Sequence, residues 1–289
     1  MARNQSNEKN FRIQILNLKL MSNNRRGDEA YKDIVARIKN QKVHIAVYGE
    51  NQHMILRTQF STLVSVGNQN VEVIYGKISK YVIIDGDDWI NLSNMEVENV
   101  DLPANLFPNL KESDYFFIPR AHRFAIVNSQ GISANNVHKF LSNAVNQVIE
   151  ADEQSEVIIE QSEDIFERII NAESIKKLLI DISYSNADTG DEAYEFMDSQ
   201  IRESEMRRLK LEATPNQNGD IKTTSLLVRG ALKVAQSNGY AQATIVENNT
   251  KIKIDTKTHP RILHIKCEDV SLMGYVVNQI MNIFRPHGN

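Results

Sequence analysis

Hydrophobic periodicity changes at Ser133, and that change constrains the fold more than any single motif. Upstream of it, apolar residues alternate with polar ones in short runs, the period of a half-buried strand. FRIQILNLKL (11–20) alternates Phe11, Ile13 and Ile15 with Arg12 and Gln14, after which Leu16 and Leu18 shift the phase. KVHIAVYG, HMILRTQFSTLV, VEVIYGKISKYVII, YFFI and RFAIV continue the strand-like pattern. One helix interrupts it: NNRRGDEAYKDIVARIKNQ sets Tyr31, Ile34, Val35 and Ile38 at helical spacing, with Asp28 as a candidate N-cap.

Downstream, SANNVHKFLSNAVNQVIEAD places Val137, Phe140, Leu141, Ala144, Val145 and Val148 on one helical face. SEVIIEQ, the helix SEDIFERIINAE opened by Ser162, and IKKLLIDISYS follow as a β-α-β unit. DEAYEFMDSQIRESEM reads as a helix, MRRLKLEAT as a strand, and TTSLLVRGALKVAQSNG as a helix closed by Gly239. YAQATIVEN and TKIKIDTK flank Asn248 and Asn249 as a hairpin, and RILHIKCE with VSLMGYVVNQIMNIF supplies a last strand and a closing helix. The fold class is therefore α+β, a β-rich N-terminal part followed by a C-terminal α/β part with a late β-hairpin. The linker-like EADEQSE (150–156) sets the division at residues 1–153 and 154–289. Pro103 and Pro108 make VDLPANLFPNLKESD a long connection.

Charge is unevenly spread. Residues 1–90 carry 13 Lys+Arg against 9 Asp+Glu, residues 91–204 carry 8 against 21, and residues 205–289 carry 12 against 7. A basic face can therefore form although the chain is net −4. The single cysteine, Cys267, excludes an internal disulfide and a cysteine-rich zinc site, and its place in ILHIKCE suits a buried strand. No run approaches the length of a membrane span, and MARNQSNEKN lacks the apolar block of a secretory signal, so a cytoplasmic protein is expected. Walker, GxGxxG, GxSxG and HExxH patterns do not occur, and DGDDW (85–89) lacks the spacing of a calcium loop. No metal or cofactor is implied.

Two basic clusters carry the candidate chemistry. In FFIPRAHRFAIV (116–127), Arg120, His122 and Arg123 interrupt an apolar run. The segment reads either as a structured turn, since Pro119 cannot donate to a ladder, or as an anion grip of two guanidinium forks and an imidazole. KIKIDTKTHPR (251–261) offers Lys251, Lys253, Lys257 and Arg261 as phosphate contacts or as a solvated face; Arg207 and Arg208 in MRRLKLEA add two more cations, and IKKLL adds Lys176 and Lys177. A competing enzyme reading takes Glu247, Asp255 and Lys257 as a metal-dependent nuclease centre.

IYGKISKYVIIDGDDWINL, IPRAHRF, IFERIINAESIKKLLIDIS and SNGYAQATIVENNTKIKIDTKTHPRI together resemble a bacterial family catalogued as domain of unknown function 4747. The resemblance implies a pattern of a proline, a basic residue, a small residue and His-Arg at Pro119 to Arg123, with His-Pro at His259 and Pro260. Asp255 and Lys257 lie outside that pattern. The order of elements, rather than any motif, is similar to that of the RexA and KwaB proteins of bacterial antiphage systems, a group associated with phage exclusion and DNA binding without an evident catalytic centre. The resulting expectation is a homodimeric, non-catalytic binding or sensor protein of an antiphage module, contacting DNA or RNA backbone. The alternatives are the nuclease and a structural subunit that binds only a protein partner of its operon, through the acidic middle third.

Overall fold

The computed structural model describes residues 8–183, 191–217 and 219–284. The leader through Asn7 and the end of the strand expected over IKKLLIDISYS, Tyr184 and Ser185, lie outside the described residues. The elements run β1 (Lys9–Met21), α1 (Gly27–Asn40), β2 (His44–Tyr48), β3 (Gln52–Leu56), β4 (Phe60–Val66), β5 (Gln69–Val82), β6 (Trp89–Asn91), β7 (Glu96–Glu98), β8 (Lys111–Ile118), β9 (Arg123–Val127) and α2 (Ala134–Val148). Then follow β10 (Gln154–Ile159), α3 (Glu163–Ile170), β11 (Ser174–Ser183), α4 (Glu192–Glu203), β12 (Arg208–Ala213), α5 (Leu226–Asn238), β13 (Gly239–Glu247), β14 (Thr250–Asp255), β15 (Ile262–Cys267) and α6 (Leu272–Ile283). The fold is mixed α+β, and no helix among the described residues is long and apolar enough to cross a membrane.

Two long strands organise a nine-stranded antiparallel sheet with the order β10-β1-β9-β8-β5-β3-β2. On one edge β1 pairs with β15 through Lys9–Gln14 and then with β10 through Leu16–Met21. In the same way β5 pairs with β4 over its first half and β3 over its second. A long twisted strand that hands one edge to two partners in turn curls the sheet.

Both faces of β1 are buried, which explains its apparent change of phase. Ile13 and Ile15 pack in the core beneath α6, whereas Leu16 and Leu18 point the other way, into the core beneath α1 and α2. The alternation never breaks; the covered face does. Cys267 lies in the α6 core, and burial pushes its thiol up.

A second, four-stranded antiparallel sheet has the order β12-β11-β13-β14. Ile175, Leu178, Ile180, Ile182, Ala241, Ala243, Ile245 and Ile254 turn one face to α3, α4 and α5. Asn248 and Asn249 take left-handed conformations between β13 and β14, the turn that a tight hairpin requires.

Sheet membership does not follow the division at residue 153. β10 pairs with β1, so the first sheet extends through Ile159, and β15 with α6 returns to it at the end of the chain. The expected β-α-β unit is corrected accordingly: β10 and β11 belong to different sheets, and every strand pair described is antiparallel. Local periodicity identifies a strand but not its partner, and here the partners lie far apart in sequence. HMILRTQFSTLV also divides into β3 and β4, and Asp28 sits in the first turn of α1 behind Arg26 rather than at the cap.

Candidate nucleic-acid interface

Strand alternation gives the second sheet an uncovered face. Because Leu178, Ile180 and Ile182 point to the helices, Lys177, Leu179 and Asp181 of β11 point away from them. The ladder sets Lys177 beside Thr244, Leu179 beside Gln242 and Asp181 beside Tyr240. On one flank β12 adds Arg208, Lys210 and Glu212; on the other β14 adds Lys251, Lys253 and Asp255. Lys257 follows on a short 3-10 turn after β14.

Six cations thus share this face with three carboxylates. Lys177 pairs with Glu212 at 2.8 Å, and Arg208 and Lys210 flank Asp181. Asp255 caps the turn by accepting from the Lys257 backbone N–H at 3.0 Å, and also accepts from Gln242 at 2.8 Å. Lys251, Lys253 and Lys257 are exposed, with no ion-pair partner among the described residues. Those three ammonium groups supply the uncompensated positive charge.

At the end of this face nearest the first sheet, Asp181 organises a compact cluster. Its carboxylate accepts from Arg208 Nε at 2.6 Å and Nη2 at 2.8 Å, and from the Tyr240 hydroxyl at 3.1 Å. Burial raises the Asp181 pKa, but the bonds from Arg208 and Tyr240 outweigh it and hold the carboxyl below its ordinary value. Lys257 Nζ lies 3.5 Å from the centroid of the Tyr240 ring. Asp181 therefore fixes an arginine fork that remains half exposed.

This cluster borders a cleft of about 330 Å³ between the two sheets, with His138 of α2, Glu156 and Gln161 on the opposite wall. Gly239 forms part of its floor: a Cβ there would stand 1.9 Å from the Asp181 carbonyl oxygen. Its φ of 172° is ordinary extended backbone. Gly239 caps α5 as expected, and its lack of a side chain serves the close approach to β11.

The other predicted cluster goes elsewhere. PRAHR is a structured turn between β8 and β9, with Pro119, Arg120 and Ala121 in a 3-10 turn and His122 at φ 54°. The His122 ring stacks on Tyr31 at 4.1 Å. Arg123 is fully enclosed: Nε lies 2.8 Å from Glu160, and Nη1 donates to the Ala121 carbonyl at 2.7 Å and to Asn17 Oδ1 at 3.1 Å. Phe284 covers its guanidinium at 4.0 Å. An anion grip cannot include Arg123, and Arg120 and His122 are not joined to the basic sheet face.

Arg261 is also withdrawn, its side chain only 11% exposed with Glu163 at 3.7 Å. Arg207 is exposed just before β12. The nuclease triad does not assemble. Glu247 pairs with Thr250 at the tip of the hairpin, while Asp255 pairs with Gln242 at its base, five residues and about 16 Å away at strand rise. Glu247 is held by Arg168 through bonds of 2.9 and 2.7 Å. Among the described residues no group of three His, Cys, Asp or Glu could hold a metal.

Asp181, Tyr240, Lys210, His138 and Gln161 were not among the sequence candidates. Asp181 and Lys210 were within reach, since extending the alternation used for KIKIDTK to KLLIDIS and RLKLE puts both on the polar face. The wall formed by His138 and Gln161 depends on how the two sheets meet, which no local pattern states.

The family described as Domain of unknown function (DUF4747) matches residues 9–282. The chain belongs to that family. No curated protein matches it. Among solved structures, the crystal structure of a PDZ domain protein from Parabacteroides distasonis is 9% identical, with 90% of this chain and 73% of that chain covered and a TM-score of 0.14. A likeness at that score carries no argument.

Proposed function

We propose that this member of the DUF4747 family is a non-catalytic binding protein that receives a nucleic-acid backbone on the open face of its second sheet. The observation that carries the reading is the stripe of Lys251, Lys253 and Lys257, exposed and without carboxylate partners among the described residues, beside Arg208 and Lys210. A backbone of closely spaced phosphates is the ligand that such a stripe neutralises, and counterion release makes the contact favourable without base-specific groups. Polar neighbours on the same face, Gln242 and Thr244, can donate to phosphate oxygens. The similarity in element order to RexA and KwaB supports a setting in the cytoplasm, as the binding or sensor part of an antiphage module.

The test is a mobility-shift titration of the purified chain against duplex and single-stranded DNA and RNA at two salt concentrations, with and without Mg²⁺ and Mn²⁺. Expected is a shift that weakens with salt while the nucleic acid stays intact. Salt-independent binding, or no binding to any of the four, would overturn the reading; metal-dependent products would replace it with an enzyme.

A further inference from the structure

We propose that the cleft between the two sheets, which adjoins the open face and shares Arg208 and Lys257 with it, is a site for a nucleoside phosphate, with the phosphate between those two cations and the nucleoside against α2 and β10. Its volume, about 330 Å³, falls at the small end of the roughly 300–1,000 Å³ range of small-molecule sites. Its two walls differ in chemistry, and each asks for a different part of one ligand.

The wall made by the second sheet is an anion subsite. Arg208 spends Nε and Nη2 on Asp181, which fixes the plane of the guanidinium and leaves Nη1 for a ligand. Lys257 is steered over the Tyr240 ring. A fork of fixed orientation beside an exposed ammonium matches a phosphate, which can accept from both. A neutral ligand would leave these cations unused.

The wall made by the first sheet asks for a donor. Gln161 is only 4% exposed, and its Nε2 donates to the Ile159 carbonyl at 2.6 Å. Its Oε1 is buried with no hydrogen-bond partner among the described residues. A buried amide oxygen left unpaired costs about 1–3 kcal/mol, and a small turn of the Gln161 side chain toward the cleft it lines would present that oxygen to a ring N–H, an exocyclic amine or a sugar hydroxyl. Glu156 supplies a second acceptor on the same wall. His138 is fixed there as well: its Nε2 lies 2.9 Å from the Val157 carbonyl, which can only accept, so Nε2 carries the proton. Inorganic phosphate would satisfy the first wall and not the second; a nucleoside phosphate satisfies both.

Two sources share this chemistry, a free mononucleotide and the phosphorylated end of a strand lying on the open face. Only the strand-end source rests on the function proposed above. Isothermal titration calorimetry of the full chain against adenosine, guanosine, cytidine and uridine 5′-monophosphates and against orthophosphate tests the first. Oligonucleotides with and without a 5′-phosphate test the second. Expected is binding of at least one mononucleotide, with orthophosphate weaker by about tenfold or more, or an equal preference for the phosphorylated strand. Gln161→Leu and Lys257→Met should each weaken that binding about tenfold, whereas Lys251→Gln with Lys253→Gln should leave mononucleotide affinity unchanged. Lys257 is exposed, so its variant remains informative if Gln161→Leu fails to fold. Mononucleotide binding without oligonucleotide binding would remove the function proposed above and leave this site standing. No heat from any mononucleotide together with indifference to the 5′-phosphate would overturn it, as would unchanged binding by both cleft variants.

Discussion

Arg123 Nε lies 2.8 Å from Glu160 Oε1, with both side chains wholly shielded from solvent. The pair ties the start of β9 to the residue that follows β10, and Phe284 lies over the guanidinium at 4.0 Å. Asn17 extends the contact, since its Oδ1 accepts from Arg123 while its Nδ2 donates to the Ser237 carbonyl at 3.0 Å near the end of α5. The apolar run FFIPRAHRFAIV breaks where it does because one of its charges is taken into the interior, where it ties β9 to the end of β10. Glu160 sits at the crossing from one to the other: its backbone N–H donates to Ile15 O, and its own carbonyl accepts from Arg261.

Removing one member of this pair takes a partner at 2.8 Å away from a charge that stays shielded from solvent. Arg123→Met or Glu160→Leu alone is expected to lower stability by about 3–5 kcal/mol, and the double variant carrying both changes by clearly less than the sum. Urea denaturation of the four proteins measures the coupling. Additive losses would mean that the ion pair is not what holds the crossing.

Gly239→Ala tests the join between α5 and the floor of the cleft. The added carbon would stand 1.9 Å from the Asp181 carbonyl oxygen and 3.1 Å from Ile182 Cα, both on β11. Backbone cannot rotate out of the way as a flexible side chain can, so a cost of about 3 kcal/mol, at the upper end of the overpacking range, is expected. Since Asp181 positions Arg208, anion affinity should fall along with the melting temperature. An alanine variant as stable as the parent would show that the sheet yields at this point.

The two sheets differ in how much of them the sequence disclosed. Alternation in KIKIDTK is enough to put Lys251 and Lys253 on one face, as β14 does, because a two-residue period is a local property of any strand. Pairing is not local: β1 meets β15 some 250 residues away, and nothing in ILHIKC says that it will leave the hairpin preceding it. Arg123 misled for a different reason. Charge next to proline usually marks a turn at the surface, and its carboxylate partner stands 37 positions later in a strand that read as part of another domain. EADEQSE is a further example of composition yielding to tertiary contact. It has the makeup of a solvated linker, yet Glu153 within it is only 6% exposed.

That glutamate gives a pH-dependent contribution to stability. Arg25 grips it in bidentate fashion, Nε at 2.8 Å and Nη2 at 2.6 Å, and the Glu150 N–H adds a bond at 2.9 Å. The Arg25 bonds dominate and hold the Glu153 carboxyl down at about 2, against the opposing effect of burial. A folded-state pKa below the unfolded value of about 4.3 stabilises the fold above that value, and the contribution is lost as pH falls toward the folded-state pKa. The stability difference between the parent and Glu153→Gln should therefore be largest near pH 6 and shrink steadily between about pH 4.5 and 3. A difference that stays constant over that interval would sink the assignment.

The basic sheet face makes a quantitative prediction about salt. If Lys251, Lys253 and Lys257 each neutralise one phosphate, duplex affinity should fall with a slope of about −2.7 in log–log form, roughly 40-fold between 50 and 200 mM salt. Lys251→Gln with Lys253→Gln removes two contacts, so the slope should relax to about −0.9 and the same change in salt should cost only about threefold. Neither lysine packs against the apolar core or holds a carboxylate among the described residues, so the melting temperature should stay unchanged. Arg120→Gln is the control, since Arg120 lies on the β8–β9 turn of the first sheet, and it should leave the slope as it was. A slope that survives the lysine changes and collapses in the Arg120 variant would move the contact surface to the β8–β9 turn. The alternation that places Lys251 and Lys253 on the outside would then describe only a solvated strand.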